Sequence, residues 1–147
     1  VRLVLAGKPH PTETIFLRSM VKQLGLDERV EFRSYVPYAE LPDLYRGALA
    51  LVYPSLWEGF GLPILEAMAC GTPVITSRGS GTEEVAGDAA LLIDPKNTRA
   101  LADALRQFIE QPKLVANFQL KGLKRALLYR WPMTAETTRK TLAELLI

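Results

Sequence analysis

The chain has 147 residues, a formal net charge of +2, 48% hydrophobic residues and 23% charged residues. That length suits one domain of about 100–200 residues, and the composition is that of a globular protein rather than a disordered or fibrous one. The charge is too small to argue for a nucleic-acid partner, and the single cysteine, Cys70, excludes a disulfide framework within the chain.

Hydrophobic period and Gly/Pro punctuation give the elements in order. VRLVLAG (1–7) reads as a buried strand ending on Gly7. ETIFLRSMVKQLGL (13–26) reads as a helix with Ile15, Phe16, Met20 and Leu24 on its apolar positions and Gly25 as its stop. RVEFRSYV (29–36) is a strand ended by Pro37. AELPDLYRGA (39–48) is a short helix and LALVYPS (49–55) a strand. LPILEAMACG (62–71) is a helix with Pro63 in its first turn, where a missing N–H costs nothing. PVITS (73–77) is a strand, TEEVAG (82–87) a helical turn, and ALLIDP (90–95) the last strand. Leu101, Ala104, Leu105 and Phe108 mark a helix over 98–111. KLVANFQLKGLKRALLY (113–129) continues helical until Pro132 breaks the run, and TAETTRKTLAELLI closes the chain.

Strands alternate with helices, and the strands are continuous apolar runs. That pattern predicts an α/β domain with a doubly wound, Rossmann-like parallel sheet covered by helices on both faces, followed by C-terminal helices. Residues 1–147 are expected to form one such domain. Ligands of these sheets bind beyond the carboxyl ends of the strands. The loops that matter are therefore those after Gly7, Val36, Ser55, Ser77 and Asp94.

The loop after Ser55, LWEGFGL, is the most informative. Its glycines let main-chain amides approach a ligand, and the helix start that follows offers free N–H groups and a partial positive charge, a site for phosphate. A plain strand-to-helix turn is the alternative. Glu66 lies inside the otherwise apolar helix. A buried carboxylate needs hydrogen-bond donors, which an internal arginine, a solvent edge or the hydroxyls of a ligand would provide. Glu58, just before the turn, raises the same question. A nucleotide sugar, with ribose at one end and hexose at the other of a diphosphate, has hydroxyls at both places.

EGFGLPILE (58–66), within PSLWEGFGLPILEAMACGTPVI, resembles the E-x7-E signature of retaining glycosyltransferases of the GT-B class, glycosyltransferase family 4 (group 1) type. The resemblance extends collinearly through RVEFRSYVPYAELPDLYRGALALVYPS (29–55) and GSGTEEVAGDAALLIDPKNTRALADAL (79–105), covering roughly residues 1 to 110 of the chain. It implies the donor-binding, C-terminal half of such an enzyme. Glu66 would hold the ribose hydroxyls and Glu58, the catalytic candidate, the hydroxyls of the donor sugar. The backbone of Gly59, Phe60, Gly61 and Leu62 would face sugar and diphosphate, and Tyr35 and Val36 would lie against the base. The family's chemistry is front-face attack assisted by the leaving diphosphate.

Departures from the family pattern shape the expectation. The strand and helix that usually precede VRLVLAG, with the arginine and lysine that neutralise the diphosphate, are not matched, nor is the acceptor-binding N-terminal domain. The chain reads as most of a donor domain, inactive in transfer by itself. Lys8 is a phosphate candidate or a solvated loop lysine. In SRGSGTEEV, Thr82-Glu83 stands where relatives often have a proline. No Asp-x-Asp cluster implies a metal, and no separate cofactor is implied, the nucleotide sugar being a substrate. His10 has no second ligand in view, Cys70 reads as a packing residue, and Trp57 lines the loop or packs beside it. Lys113, Lys121, Lys124, Arg125 and Arg130, with no acid between 113 and 135, form either a solvated helix face or a membrane-surface patch. With one cysteine, no signal-peptide pattern and no apolar run near the ~20 residues of a membrane helix, the expected place is the cytoplasm, with peripheral contact at the inner membrane face. The rival readings are a GT-B-like epimerase or phosphorylase and a non-catalytic nucleotide-sugar-binding or assembly module.

Overall fold

The computed structural model describes residues 1–8 and 10–145. They divide into two compact units, Val1–Leu41 and Pro42–Ile147.

In the first unit, β1 (Leu3–Ala6) and β2 (Val30–Arg33) pair in parallel, with Leu3 opposite Val30 and Leu5 opposite Phe32. Helix α1 (Pro11–Gln23) makes the crossover, with Pro11 in its first turn. None of the unit's described residues is fully buried. Ile15, Phe16, Met20 and Leu24, expected on the helix's apolar face, are exposed. A two-stranded sheet is narrow: α1 meets it through Arg18, whose guanidinium stacks 4.4 Å from the Phe32 ring centre.

Helix α2 (Leu41–Arg46) leads to β3 (Leu51–Tyr53), α3 (Leu62–Ala69), β4 (Val74–Ser77), α4 (Gly81–Ala86), β5 (Leu91–Ile93), α5 (Thr98–Glu110), α6 (Pro112–Ala126) and α7 (Trp131–Leu145). The strands β3-β4-β5 form a parallel sheet with β4 in the centre. All four β4 residues are buried, and successive ones face opposite ways, as the pleat requires. Val74 packs with Ile64, Ala67 and Met68 of α3 and Val85 and Ala86 of α4. Ile75 packs with Ala104 and Phe108 of α5 and with Leu114, Val115 and Phe118 of α6. Here the sheet is covered on both faces, and its α/β character follows the continuous apolar reading of PVITS.

Helix α3 carries its buried residues at Ile64, Ala67 and Met68, the three- and four-residue spacing of one helix face. It stops on a Schellman motif: the Gly71 N–H donates to Met68 O at 3.0 Å and the Thr72 N–H to Ala67 O at 2.9 Å. Gly71 takes a φ of 75° there, and Pro73 follows. Gly122 lets α6 close on α3, since a Cβ at that position would sit 3.1 Å from Met68 Cγ. Asn97 caps α5 by accepting from the Ala100 N–H at 3.0 Å. The break expected at Pro132 separates α6 from α7, whose first turn contains that proline.

Candidate functional site

The loop between β3 and α3 holds the two glutamates, and α3 begins on Gly61. That glycine has a φ of 98°, a left-handed conformation that penalises any Cβ, and it is itself buried. The turn so made places Leu62 and Pro63 at the helix start. Among the described residues, the N–H groups of Gly59, Phe60, Gly61 and Leu62 donate no hydrogen bond to a protein acceptor. They are the orphan donors of a helix N-terminus and its lead-in, available to an anion.

Each glutamate is half-buried and is held by a tyrosine. The Tyr53 hydroxyl donates to Glu58 Oε1 at 2.7 Å, and the Ser55 hydroxyl lies 3.1 Å from both that oxygen and the Trp57 carbonyl, which share its one proton. The Tyr45 hydroxyl donates to Glu66 Oε2 at 2.9 Å. Glu58 Oε2 and Glu66 Oε1 receive no hydrogen bond among the described residues. Burial first, and then the hydrogen bond to Glu58, pushes the Tyr53 phenol up to about 12. Burial and Glu66 move the Tyr45 phenol well above the ordinary tyrosine range. Both phenols stay protonated donors at neutral pH. The carboxylate in the apolar helix thus has one oxygen satisfied internally and the other without a donor among the described residues.

The loop is locked from the side by α4. The Gly81 N–H donates to Glu58 O at 3.1 Å, and a Cβ on Gly81 would fall 2.5 Å from Gly59 O. The segment SRGSGTEEV is organised without the family's proline. Ser80 caps α4, its Oγ accepting from the Thr82 N–H at 3.4 Å, while Glu83 Oε2 accepts from the Gly79 N–H at 2.7 Å. The far end of α4 is held by Arg125 of α6, which donates to the carbonyls of Glu84 and Val85. Cations are favourable at that end of a helix.

The remaining expected residues are placed as follows. Phe60 turns its ring onto Tyr129, centroids 5.7 Å apart. Leu62 and Trp57 are exposed, Trp57 at 80%. Tyr35 and Val36 belong to the first unit, in the extended loop after β2. That unit has an open cleft of about 440 Å³ at the carboxyl ends of β1 and β2, lined in part by Gly7, Lys8, Arg18, Phe32, Arg33 and Ser34. His10 is exposed beside Thr12 Oγ1, and Cys70 is a half-buried free thiol at the end of α3. Among the described residues no cluster of three or more His, Cys, Asp or Glu side chains could hold a metal ion, and no helix is long and apolar enough to cross a membrane. In the basic stretch, Lys121 pairs with Asp88 at 2.8 Å and Arg125 is occupied at α4, so two of its five cations have structural partners.

Sequence reasoning did not find Tyr45, Tyr53, Ser55 or Gly81. Ser80-x-x-Glu83 is a capping pattern visible in the sequence. Tyr45 lies 21 positions from Glu66, and no local signal links the two.

Comparison with known proteins adds the following. The profile of the glycosyl transferases group 1 family matches residues 1–125. Over 129 residues the chain is 41% identical to O-antigen chain mannosyltransferase B of Escherichia coli, a match that covers 88% of this chain and 34% of that protein. Among solved structures, the C-terminal domain of a glycosyl transferase group 1 family protein (LpcC) from Francisella tularensis superposes with a TM-score of 0.77 at 32% identity, over 86% of this chain and 68% of that one. Anabaena Alr3699/HepE, solved in complex with UDP-glucose, superposes with a TM-score of 0.89 over 98% of this chain and 41% of its own; at 24% identity that likeness is one of fold.

Proposed function

The chain belongs to the glycosyl transferases group 1 family, and from that premise we propose that it binds the nucleotide-diphospho-sugar donor of a glycosyltransferase. Its α/β fold is that of the GT-B glycosyltransferases. One observation carries the donor reading. Among the described residues, two half-buried glutamates flank a glycine turn whose four amides donate to no protein acceptor, and each keeps one carboxylate oxygen without a protein donor.

In this reading Glu66 accepts from the ribose hydroxyls, and Glu58 from the hydroxyls of the donor sugar beside the reacting carbon. The amides of Gly59 to Leu62 meet the diphosphate. Tyr35 and Val36 are assigned to the base on the strength of the sequence resemblance. For the whole protein we propose retaining transfer of a hexosyl group to an acceptor hydroxyl, with the acceptor bound by residues outside this chain. The chemistry asked of this chain is positioning the donor and stabilising the departing diphosphate with preorganised N–H dipoles. The mannosyltransferase name of the Escherichia coli relative and the UDP-glucose held by the Anabaena protein both support a hexose nucleotide as the ligand class.

Calorimetric titration of the chain with UDP, GDP and ADP, and with their glucose and mannose conjugates, tests the reading. Saturable one-to-one binding of at least one nucleotide sugar is expected. Absence of binding across the whole set overturns it.

A further inference from the structure

The two glutamates are held by the same device used twice. On one side, Thr72 Oγ1 donates to the main-chain carbonyl of Tyr45 at 2.7 Å, and the Tyr45 hydroxyl donates to Glu66 at 2.9 Å. On the other, Thr76 Oγ1 donates to the main-chain carbonyl of Tyr53 at 2.9 Å, and the Tyr53 hydroxyl donates to Glu58 at 2.7 Å. Both threonines are buried, Thr72 at 3% and Thr76 at 0% exposure. Thr72 lies in the turn before β4 and Thr76 within β4. The central strand and the turn leading into it thus fix two tyrosine backbones through threonine hydroxyls, and each tyrosine fixes one carboxylate.

We propose that Tyr45 and Tyr53 are positioning residues for the donor, each orienting one glutamate so that its other oxygen faces the ligand, with Thr72 and Thr76 as their anchors. The inference rests on the donor reading above. A carboxylate is symmetric about its axis, and an unanchored one rotates. A phenol bound to one oxygen fixes which oxygen is left and in which plane its lone pairs lie. It also occupies that oxygen with a neutral donor, so the carboxylate keeps its charge for the ligand. The phenols suit this task because each remains protonated well beyond neutral pH. Glu58 has a second, shared donor in Ser55, whose hydroxyl is 3.1 Å from the same oxygen and from the Trp57 carbonyl; Glu66 has Tyr45 alone among the described residues. Tyr45 therefore carries the larger share at its glutamate.

The roles separate by ligand. Tyr45→Phe should weaken binding of both the nucleoside diphosphate and the nucleotide sugar by about tenfold, through Glu66. Tyr53→Phe should leave the nucleoside diphosphate unaffected and weaken only the nucleotide sugar, and Tyr53→Phe with Ser55→Ala should weaken it more. For Tyr53→Phe a merely structural loss would lower both affinities together; Tyr45→Phe lowers both in either case, and there the Glu66→Ala background tells positioning from structure. Double-variant comparison sharpens the test: in a Glu66→Ala chain, Tyr45→Phe should have no further effect, because the group it positions is gone. The same holds for Tyr53→Phe in a Glu58→Ala chain.

The experiment is calorimetry of the full chain and these variants with one nucleoside diphosphate and its nucleotide sugar, with circular dichroism as a check on folding. The ligand split and the loss of effect in the glutamate backgrounds support the inference. Phenylalanine variants that bind like the wild type, while the glutamate variants bind poorly, overturn the inference and leave the donor reading standing. A wild-type chain that binds none of the UDP, GDP and ADP nucleotides or their sugar conjugates overturns both.

Discussion

Replacing Gly81 with alanine tests how tightly the carboxylate loop is built against α4. Gly81 does not occupy the left-handed region, so alanine brings no backbone strain and the cost is steric. The new Cβ would lie 2.5 Å from the carbonyl oxygen of Gly59, 2.7 Å from its carbonyl carbon and 2.8 Å from the carbonyl oxygen of Glu58. All three are main-chain atoms, so no side-chain rotation relieves the clash. Restoring an ordinary contact at 3.4 Å requires a retreat of about 0.9 Å from the nearest atom. That retreat also strains the Gly81 N–H to Glu58 O hydrogen bond, 3.1 Å long. Overpacking of this kind costs about 1–3 kcal/mol. In a chain of this size each kcal/mol lowers Tm by roughly 2–4 °C, so a fall of about 2–12 °C is expected. Because the moving atoms carry Glu58, affinity for a nucleotide sugar should fall by about tenfold or more as well. Gly59→Ala is the control for stability: nothing lies within 4 Å of its added Cβ, and Tm should not change. Scanning calorimetry and ligand titration on the two variants give the answer. A Gly81→Ala chain with wild-type Tm and wild-type affinity would refute the packing described here.

Glu66→Ala should weaken nucleoside diphosphate binding by about 1.5–3 kcal/mol for each ribose hydrogen bond lost, read by calorimetry on a chain shown to be folded. Phe108→Ala should destabilise the chain by about 3–5 kcal/mol, since Phe108 is 1% exposed and packs on Phe118 with ring centres 5.6 Å apart; urea unfolding measures it. Alkaline pH should destabilise the wild type more than Tyr53→Phe. The Tyr53 phenol ionises near 10.0 when unfolded and near 12 when folded, so the unfolded chain loses its proton first. The resulting stability is present below pH 10 and is lost as pH rises toward 12. The difference in urea midpoint between wild type and Tyr53→Phe should therefore be largest below pH 10 and close as pH rises toward 12.

The parts of this fold that were legible in the sequence are those governed by local rules. PVITS became the buried central strand because an unbroken apolar run has no other stable place in an α/β sheet. Gly61, Pro63 and Gly71 bracketed α3 because positive φ and a missing N–H have few solutions. Glu58 and Glu66 stood out because charge in an apolar segment must be satisfied. What was not legible depends on distance along the chain. Tyr45 meets Glu66, and Gly81 meets Gly59, only after α3 and β4 have folded back. Helix α1 shows the converse: Phe16, Met20 and Leu24 have helical spacing, yet they are exposed, because period reports which face is apolar and not what covers it. Thr72 and Thr76 read as ordinary turn and strand residues until their hydroxyls are seen to bond tyrosine carbonyls.

The central claim is that Glu58 and Glu66 divide one donor between them, Glu66 at the ribose and Glu58 at the sugar. The most direct test is the ratio of two affinities, for a nucleotide sugar and for its nucleoside diphosphate, measured by calorimetry on the Glu58→Ala chain. The account predicts that the nucleoside diphosphate binds as to the wild type while the nucleotide sugar loses affinity by about tenfold or more, so that the ratio collapses. Equal losses for the two ligands, or none for either, would contradict it.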